Sequence, residues 1–583
     1  MPSAVFMCMD TFFIKENKMK IVHFKYSALT LALIANFAVT QSALSYSAEI
    51  AKTCNREFCE LKDQHIADKP DLSSISITNV KKAILSNISI AHSSNQSGVI
   101  DMNNTNVSID GLTVNSTNPA SLWGLRFENS TVTINHAVVN VATKSSDNTP
   151  RGMRGALAFE SRLSGGDSTT YVSNSSFTNR ADQSAVVVLA KNYAIFDEVT
   201  LKATGDKSTL FSLQDDTKLV AKRVTAENTQ HQDGLFIHVD TGGLKGDTVK
   251  VPYLQDLQFE DSHIHAKQGI QWMDAEGRMT LHLVNSTLTV DDQLVRINQP
   301  NDVQNDITTS ISLERATLTG GLKKTNSWVD ISLTDSNWNV TSDSTVHKLS
   351  TLGGASNISF VNNSEGFKTL TITGEYQGAH NFYVNSNISQ DQSDKVVLSG
   401  KLSNQENSAI FLVSDQSGDH KFDDPKKHII TLLESTDLSD NLTVKLGGDN
   451  QYINAGGYRY HLYELTINGK KEWGLASKLD NNNEPEIDPD FNKPKMEEPK
   501  AEEPKSDELV PYPDDEKISP HEDLNLPPKD DNKPETNPEA KPEAKPEIKP
   551  EIKPEIKPEI NPEIKSEINP EIKPEINPEI NPG

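Results

Sequence analysis

Ser130-Thr131-Val132-Thr133-Ile134 decides the fold. Its strict alternation places Val132 and Ile134 on one face and Thr131 and Thr133 on the other, the pattern of a half-buried strand. The same short phrase returns as Asn87-Ile88-Ser89-Ile90, Asn106-Val107-Ser108-Ile109, Ser175-Ser176-Phe177, Glu198-Val199-Thr200-Leu201, Ser262-His263-Ile264-His265, Ser286-Thr287-Leu288-Thr289-Val290 and Asn337-Trp338-Asn339-Val340. Successive members are mostly about 20–25 residues apart, which is a repeat architecture. One double-length gap, before Ser175, has room for an extra turn of chain.

A second row of strands precedes several of these: Leu122–Phe127, Ala156–Phe159, Ala185–Leu189, Leu210–Leu213, Leu235–Val239, Ile270–Met273 and Leu294–Ile297. Two phased rows per period predict an all-β, right-handed parallel β-helix, each strand pairing with its counterpart one coil further on. Asn and Ser at matching places are expected to stack in ladders along the coils. An antiparallel sandwich array needs tight Asn-Gly or Asp-Gly hairpins; Asp110-Gly111 and Asp233-Gly234 do not recur with the period. About fifteen coils at about 4.8 Å each predict a rod on the order of 70 Å long.

Upstream, Ala28–Val39 is an apolar run preceded by Lys18, Lys20 and Lys25 and followed by small residues to Ala48. That is the pattern of a secretory signal, too short to span a bilayer. Met19-Lys20 is as good a start as Met1. In an oxidising compartment, Cys54 and Cys59 are expected to close a disulfide loop over Asn55–Phe58; two cysteines without nearby histidines supply too few ligands for a metal. The formal charge is −26 with 6% aromatic residues, which argues against nucleic acid as a partner.

From Phe367 the chain changes character. Thr369–Gly374, Asn381–Val384, Asp391-Gln392-Ser393-Asp394-Lys395-Val396-Val397-Leu398, Ile429–Leu433, Ala455-Gly456-Gly457-Tyr458-Arg459-Tyr460-His461-Leu462 and Glu472-Trp473-Gly474-Leu475 follow one another in order. In that order they resemble the C-terminal end of pertactin-like autotransporter passengers of Gram-negative bacteria. The resemblance implies that 367–475 forms the last coils of the helix, folds early in export and templates the rest. Its family-motif positions here are Asp391, Ser393, Asp394, Lys395, Gly457, Tyr458, Tyr460, Leu462 and Trp473, with Tyr458–Leu462 and Trp473 as an aromatic plug. Slow, non-local parallel pairing gives such a seed a physical purpose.

Residues 534–582 repeat Pro-Glu-Ile-Lys-like tetrapeptides. Proline at every fourth position disfavours helix and sheet and leaves an extended, polyproline-like spacer, on the order of 150 Å for about 48 residues. After Leu475 nothing resembles the alternating strands of a membrane β-barrel. The expected organisation is a signal peptide with N-terminal extension at 1–48, a cap with the disulfide at 49–71, the β-helix at 72–366, the pertactin-like block at 367–480 and an acidic proline-rich linker at 481–583. The outer-membrane barrel is then missing or supplied separately.

Chemistry is weakly signalled. Gly165-Gly166-Asp167-Ser168-Thr169 lacks the glycine that follows a protease nucleophile. Asp215-Asp216 and Asp291-Asp292 are adjacent, so within a strand each pair splits between faces, and solvated turn charges are the simpler reading. His263 and His265 share a face without an identifiable third ligand. The expectation is a non-enzymatic surface adhesin, a host-interaction and virulence protein without cofactor or metal, whose partner is a host cell-surface or matrix protein or glycan. It is exported through the inner membrane to the cell surface or outer membrane if a barrel is supplied, and is otherwise periplasmic or secreted. The alternatives are a β-helical glycan-active enzyme and a non-functional remnant.

Overall fold

The computed structural model describes residues 54–477 except 67–73, 93–97, 117–122, 143–154, 161–168, 241–252, 274–276, 299–306, 326, 355, 417–428, 449–450 and 456. The export segment, the linker and Gly165–Ser168 lie outside the described residues. Among the described residues there are two sheets, one of 29 strands and one of nine. The fold is a parallel β-helix.

Its main ladder runs in parallel from Phe58–Ile66 through Lys82–His92, Asn106–Ser116, Thr131–Val141, Thr169–Asn179 and Tyr193–Ala203, and onward to Ile430–Ser435. Thr131–Val141 pairs directly with Thr169–Asn179. The double-length gap before Ser175 therefore holds no extra coil, and its surplus residues are connections within one coil. Conversely, Thr225–Asn228 and Thr317–Gly321 are members of the repeating row that short apolar content hides in the sequence. The second row forms the nine-stranded sheet, from Ile75–Thr78 to Val295–Asn298.

The core is built of side chains stacked in register. Leu85, Ile109, Ile134, Val172, Phe196, Ala221, Phe259 and Leu283 face one another coil after coil, all buried. In the second sheet Phe127 stacks on Phe159 with ring centroids 5.4 Å apart, favourable beyond area burial alone. Thr131 and Thr133 are exposed while Val132 and Ile134 are buried, as the alternation requires.

One residue per coil interrupts that alternation. Asp63, Asn87, Gly111, His136, Asn174, Glu198, Arg223, Asp261, Asn285, Arg315 and Asp335 all have φ between 46° and 72°. Each sits one coil from the next, and the left-handed residue turns the strand so that two successive side chains point out before the inward rhythm resumes: Ile134 in, Asn135 and His136 out, Ala137 in. In four coils the next position is a serine: Ser175, Ser262, Ser286 and Ser336. Ser262 Oγ accepts from Val224 N at 3.0 Å and donates to Glu260 O at 2.8 Å, and Ser286 Oγ accepts from Ser262 N at 2.9 Å and donates to Val284 O at 2.7 Å. Ser175 and Ser336 repeat the geometry. Each such bond adds about 1 kcal/mol net and, more importantly, gives a buried amide a partner. The expected Ser and Asn ladders are present, Asn104 Nδ2 donating to Asn79 Oδ1 at 2.8 Å.

The C-terminal end departs from the expectation of coils throughout. Parallel pairing continues to Leu442–Leu446, but Tyr452–Ala455, Tyr458–Ile467 and Lys470–Ser477 form antiparallel pairs, and the last folds back antiparallel on Ile430–Ser435. A reversed strand cannot template another parallel coil, so this unit closes the edge that a β-helix otherwise leaves open.

Candidate functional site

The terminal block is organised around a buried carboxylate. Asp394 is fully buried. Its Oδ1 accepts from Lys368 N at 2.7 Å, and its Oδ2 accepts from both Asn385 N and Asn385 Nδ2 at 2.7 Å. Lys368, also buried, donates from Nζ to Gly366 O at 2.7 Å. Asp391 ends a 3-10 turn in left-handed geometry, which reverses the chain so that Ser393 can donate to Thr431 O at 2.9 Å. Lys395 lies 3.8 Å from Glu434, which Lys470 also reaches.

Gly457 has φ 91° and admits the tight turn into Tyr458–Ile467. Tyr460 and Trp473 are buried, and Trp473 Nε1 donates to Glu464 Oε2 at 3.1 Å. Tyr458 and Leu462 are only partly buried at the margin of the core, so the aromatic contribution comes from Tyr460 and Trp473 rather than from the whole Tyr458–Leu462 run. His380 was not legible as special. It is buried between Tyr376 and Phe382, donates from Nε2 to Gln377 O at 3.2 Å, and burial pushes its imidazole down to about 4.

At the other end Cys54 and Cys59 form a disulfide. Asn55 Oδ1 accepts from the amides of Glu57 and Phe58 at 2.8 Å, fixing the loop between the cysteines, and Cys59 is buried opposite Ala83.

The titratable clusters are all engaged. Asp291 and Asp292 both point outward instead of splitting between faces as in a regular strand, because a register shift between Thr289 and Gln293 inserts a bulge. Burial works to raise Asp291, but hydrogen bonds from Lys267 and His265 outweigh it and hold the carboxyl below its usual range. Asp292 is lowered in the same way, the effect of burial being overcome by hydrogen bonds from Gln268 and Gln293. Asp215 occupies a left-handed turn, and burial raises its carboxyl. His263 bonds Thr287 Oγ1 while His265 bonds Asp291, so the two rings serve different partners. Arg126 Nη2 donates to Glu128 Oε2 at 2.9 Å and Glu160 Oε2 at 3.2 Å, tying those carboxylates together. Among the described residues no group of three or more His, Cys, Asp or Glu side chains is placed to hold a metal ion.

What remains is surface. Most outward side chains of the long sheet are Ser, Thr, Asn and charged residues in rows. Trp328 breaks that polarity at 56% exposure. The sequence carried the signal: in Trp328–Thr334 the inward Val329, Ile331 and Leu333 force Trp328 out with Asp330 and Ser332.

The family model described as Pertactin matches residues 346–477. A probable autotransporter, YfaL, of Escherichia coli strain K12 is 28% identical over 254 residues, covering 42% of this chain and 19% of that protein. The chain thus spans about a fifth of the length of the curated relative it matches. The crystal structure of the Haemophilus influenzae Hap adhesin is similar at 15% identity and a TM-score of 0.29, over 72% of this chain and 49% of that one. The matched residues contain the Asp394 bracket, the Tyr460 and Trp473 core and the antiparallel closure, so residues 346–477 form a pertactin-like domain.

Proposed function

We propose that this chain is a non-enzymatic adhesin, a surface passenger that contacts a host cell-surface or matrix protein or glycan. The observation that carries the reading is an unbroken parallel ladder from Phe58–Ile66 to Ile430–Ser435 that ends in the pertactin-like domain. A rigid repeat array presents a long series of solvent-facing side chains at fixed spacing, which suits recognition better than chemistry. The engaged state of Asp291, Asp292, Glu128 and Glu160 favours binding over acid–base work. Autotransporter passengers are exported across the inner membrane to a surface or outer-membrane location, and the proline-rich 534–582 segment suits a spacer between passenger and membrane.

The test is display of the chain on intact cells through an outer-membrane barrel joined after Gly583, with cells bearing the barrel alone as the comparison. Displaying cells should adhere several-fold better to host epithelium or matrix. Equal adhesion would reject the adhesin reading. Release of reducing ends from pectin or glycosaminoglycans by the purified protein would reject its non-enzymatic part.

A further inference from the structure

We propose that Trp328, held in place by His347, is a binding platform for an uncharged pyranose sugar; the inference rests on the adhesin reading and gives it a site. Trp328 is 56% exposed, yet its ring is fixed: it stacks on the His347 imidazole with centroids 4.7 Å apart and planes 8° from parallel. His347 is fixed in turn by Asp330, whose Oδ1 lies 2.9 Å from Nδ1. It is also held by Gly374, where an added Cβ would fall 2.5 Å from Cδ2 and Nε2 of the ring. A register shift between Val346 and Lys348 turns both His347 and Lys348 outward, a bulge that aims the imidazole at the indole.

An exposed tryptophan immobilised in this way loses little entropy when a ligand covers it. The surroundings select the ligand. Trp328 stands opposite Thr308, and Asp330 stands between Ser310 and Lys348. One flat apolar surface ringed by the Thr308 and Ser310 hydroxyls, the Asp330 carboxylate and Lys348, whose ammonium is paired with Glu375 at 2.8 Å, does not fit the apolar centre of a protein interface, where charged groups are depleted. It fits a molecule with one C–H face and a rim of hydroxyls, which is a pyranose. The chain's net charge of −26 and the neighbouring Asp330 disfavour acidic glycans.

The experiment uses the full exported chain against immobilised lactose, N-acetyllactosamine, chitotriose and heparin oligosaccharide, with tryptophan emission as a second readout. Of the five tryptophans, Trp272, Trp338 and Trp473 are buried and Trp123 is half-buried, so the part of a ligand-induced shift and acrylamide protection that disappears in Trp328→Phe reports on Trp328. At least one uncharged sugar should bind. Trp328→Ala should weaken it about tenfold or more and Trp328→Phe less, with the far-UV spectrum unchanged in both. Failure of every uncharged sugar to bind, binding of heparin alone, or an undiminished affinity in Trp328→Ala would overturn the proposal. Displayed on cells, a Trp328→Ala chain that adheres like the parent would reject this site and leave the adhesin reading intact. Sugar binding by a parent chain that does not adhere would reject the adhesin reading and leave the site.

Discussion

The coils between Lys82 and Val340 and the block from Lys368 to Ser477 share one parallel ladder but hold it together differently. In the coils every device is repeated: an interior row, a left-handed residue at the bend, a serine hydroxyl bridging to the coil before it. Loss of one copy is felt by two neighbours. In the block the devices occur once: the Asp394 bracket, buried His380, the Tyr376 hydroxyl donating to Ser408 O at 2.7 Å, the antiparallel closure. Repetition makes stability a sum of nearest-neighbour terms, whereas a unique buried polar network makes it cooperative. The comparison teaches that substitution should cost less in the coils than in the block.

The largest effect should come from Asp394→Ala. It strands the Lys368 and Asn385 amides and takes one of two acceptors from Asn385 Nδ2, which keeps Phe360 O at 2.9 Å. A loss of about 3–5 kcal/mol in the block is expected. The checks are urea unfolding and limited proteolysis, in which the parent should leave a resistant C-terminal fragment and the variant should not. If the variant keeps that fragment while the coils are digested first, the block is not the stable unit.

A second, smaller effect should appear on acidification. The His380 imidazole is held down to about 4 by burial, against about 6.5 in the unfolded chain. The unfolded form therefore takes up its proton first. The contribution to stability is complete above about 6.5 and is lost as pH falls through about 4, on the order of 3 kcal/mol in all. Unfolding midpoints of the block between pH 7.5 and 4.5 should fall more steeply in the parent than in His380→Phe, and parallel curves would remove His380 as the cause.

Much of this was legible. Alternation in Ser130–Ile134 and the apolar run Ala185–Leu189 set out both sheets because a narrow interior demands those side chains in phase. The bend was not legible, since its occupants run from Gly111 to Arg223 and share only a backbone angle. Nor was strand direction at the end: Tyr458–Ile467 reads like any other strand, and pairing sense is decided by which edge it meets. The bulge that turns Asp291 and Asp292 to one face depends on register with the neighbouring coil, which a single segment does not encode. The Asp394 bracket joins Lys368, Asn385 and Asp394 across coils; the family motif marked the aspartate but not its partners.

The smallest effect separates backbone from side chain at the bend. His136 has φ 50°, and its ring bonds Asp110 Oδ1 at 3.0 Å in an exposed pair that contributes little. Left-handed geometry costs a non-glycine residue about 1 kcal/mol, and glycine relieves that cost while adding about as much freedom to the unfolded chain. His136→Gly should therefore change stability by about 0.5 kcal/mol or less, whereas His136→Val, branched at Cβ, should lose about 1–2 kcal/mol. Gly111→Val should behave like the latter, its Cβ lying 2.9 Å from Asn87 Oδ1 at φ 72°. Urea midpoints of the coil transition distinguish the outcomes, with the block transition as internal reference. Equal midpoints for the glycine and valine variants at 136 would mean that the side-chain ladder, not the left-handed backbone, holds the bend, and the coils would then resemble the terminal block more than their repetition suggests.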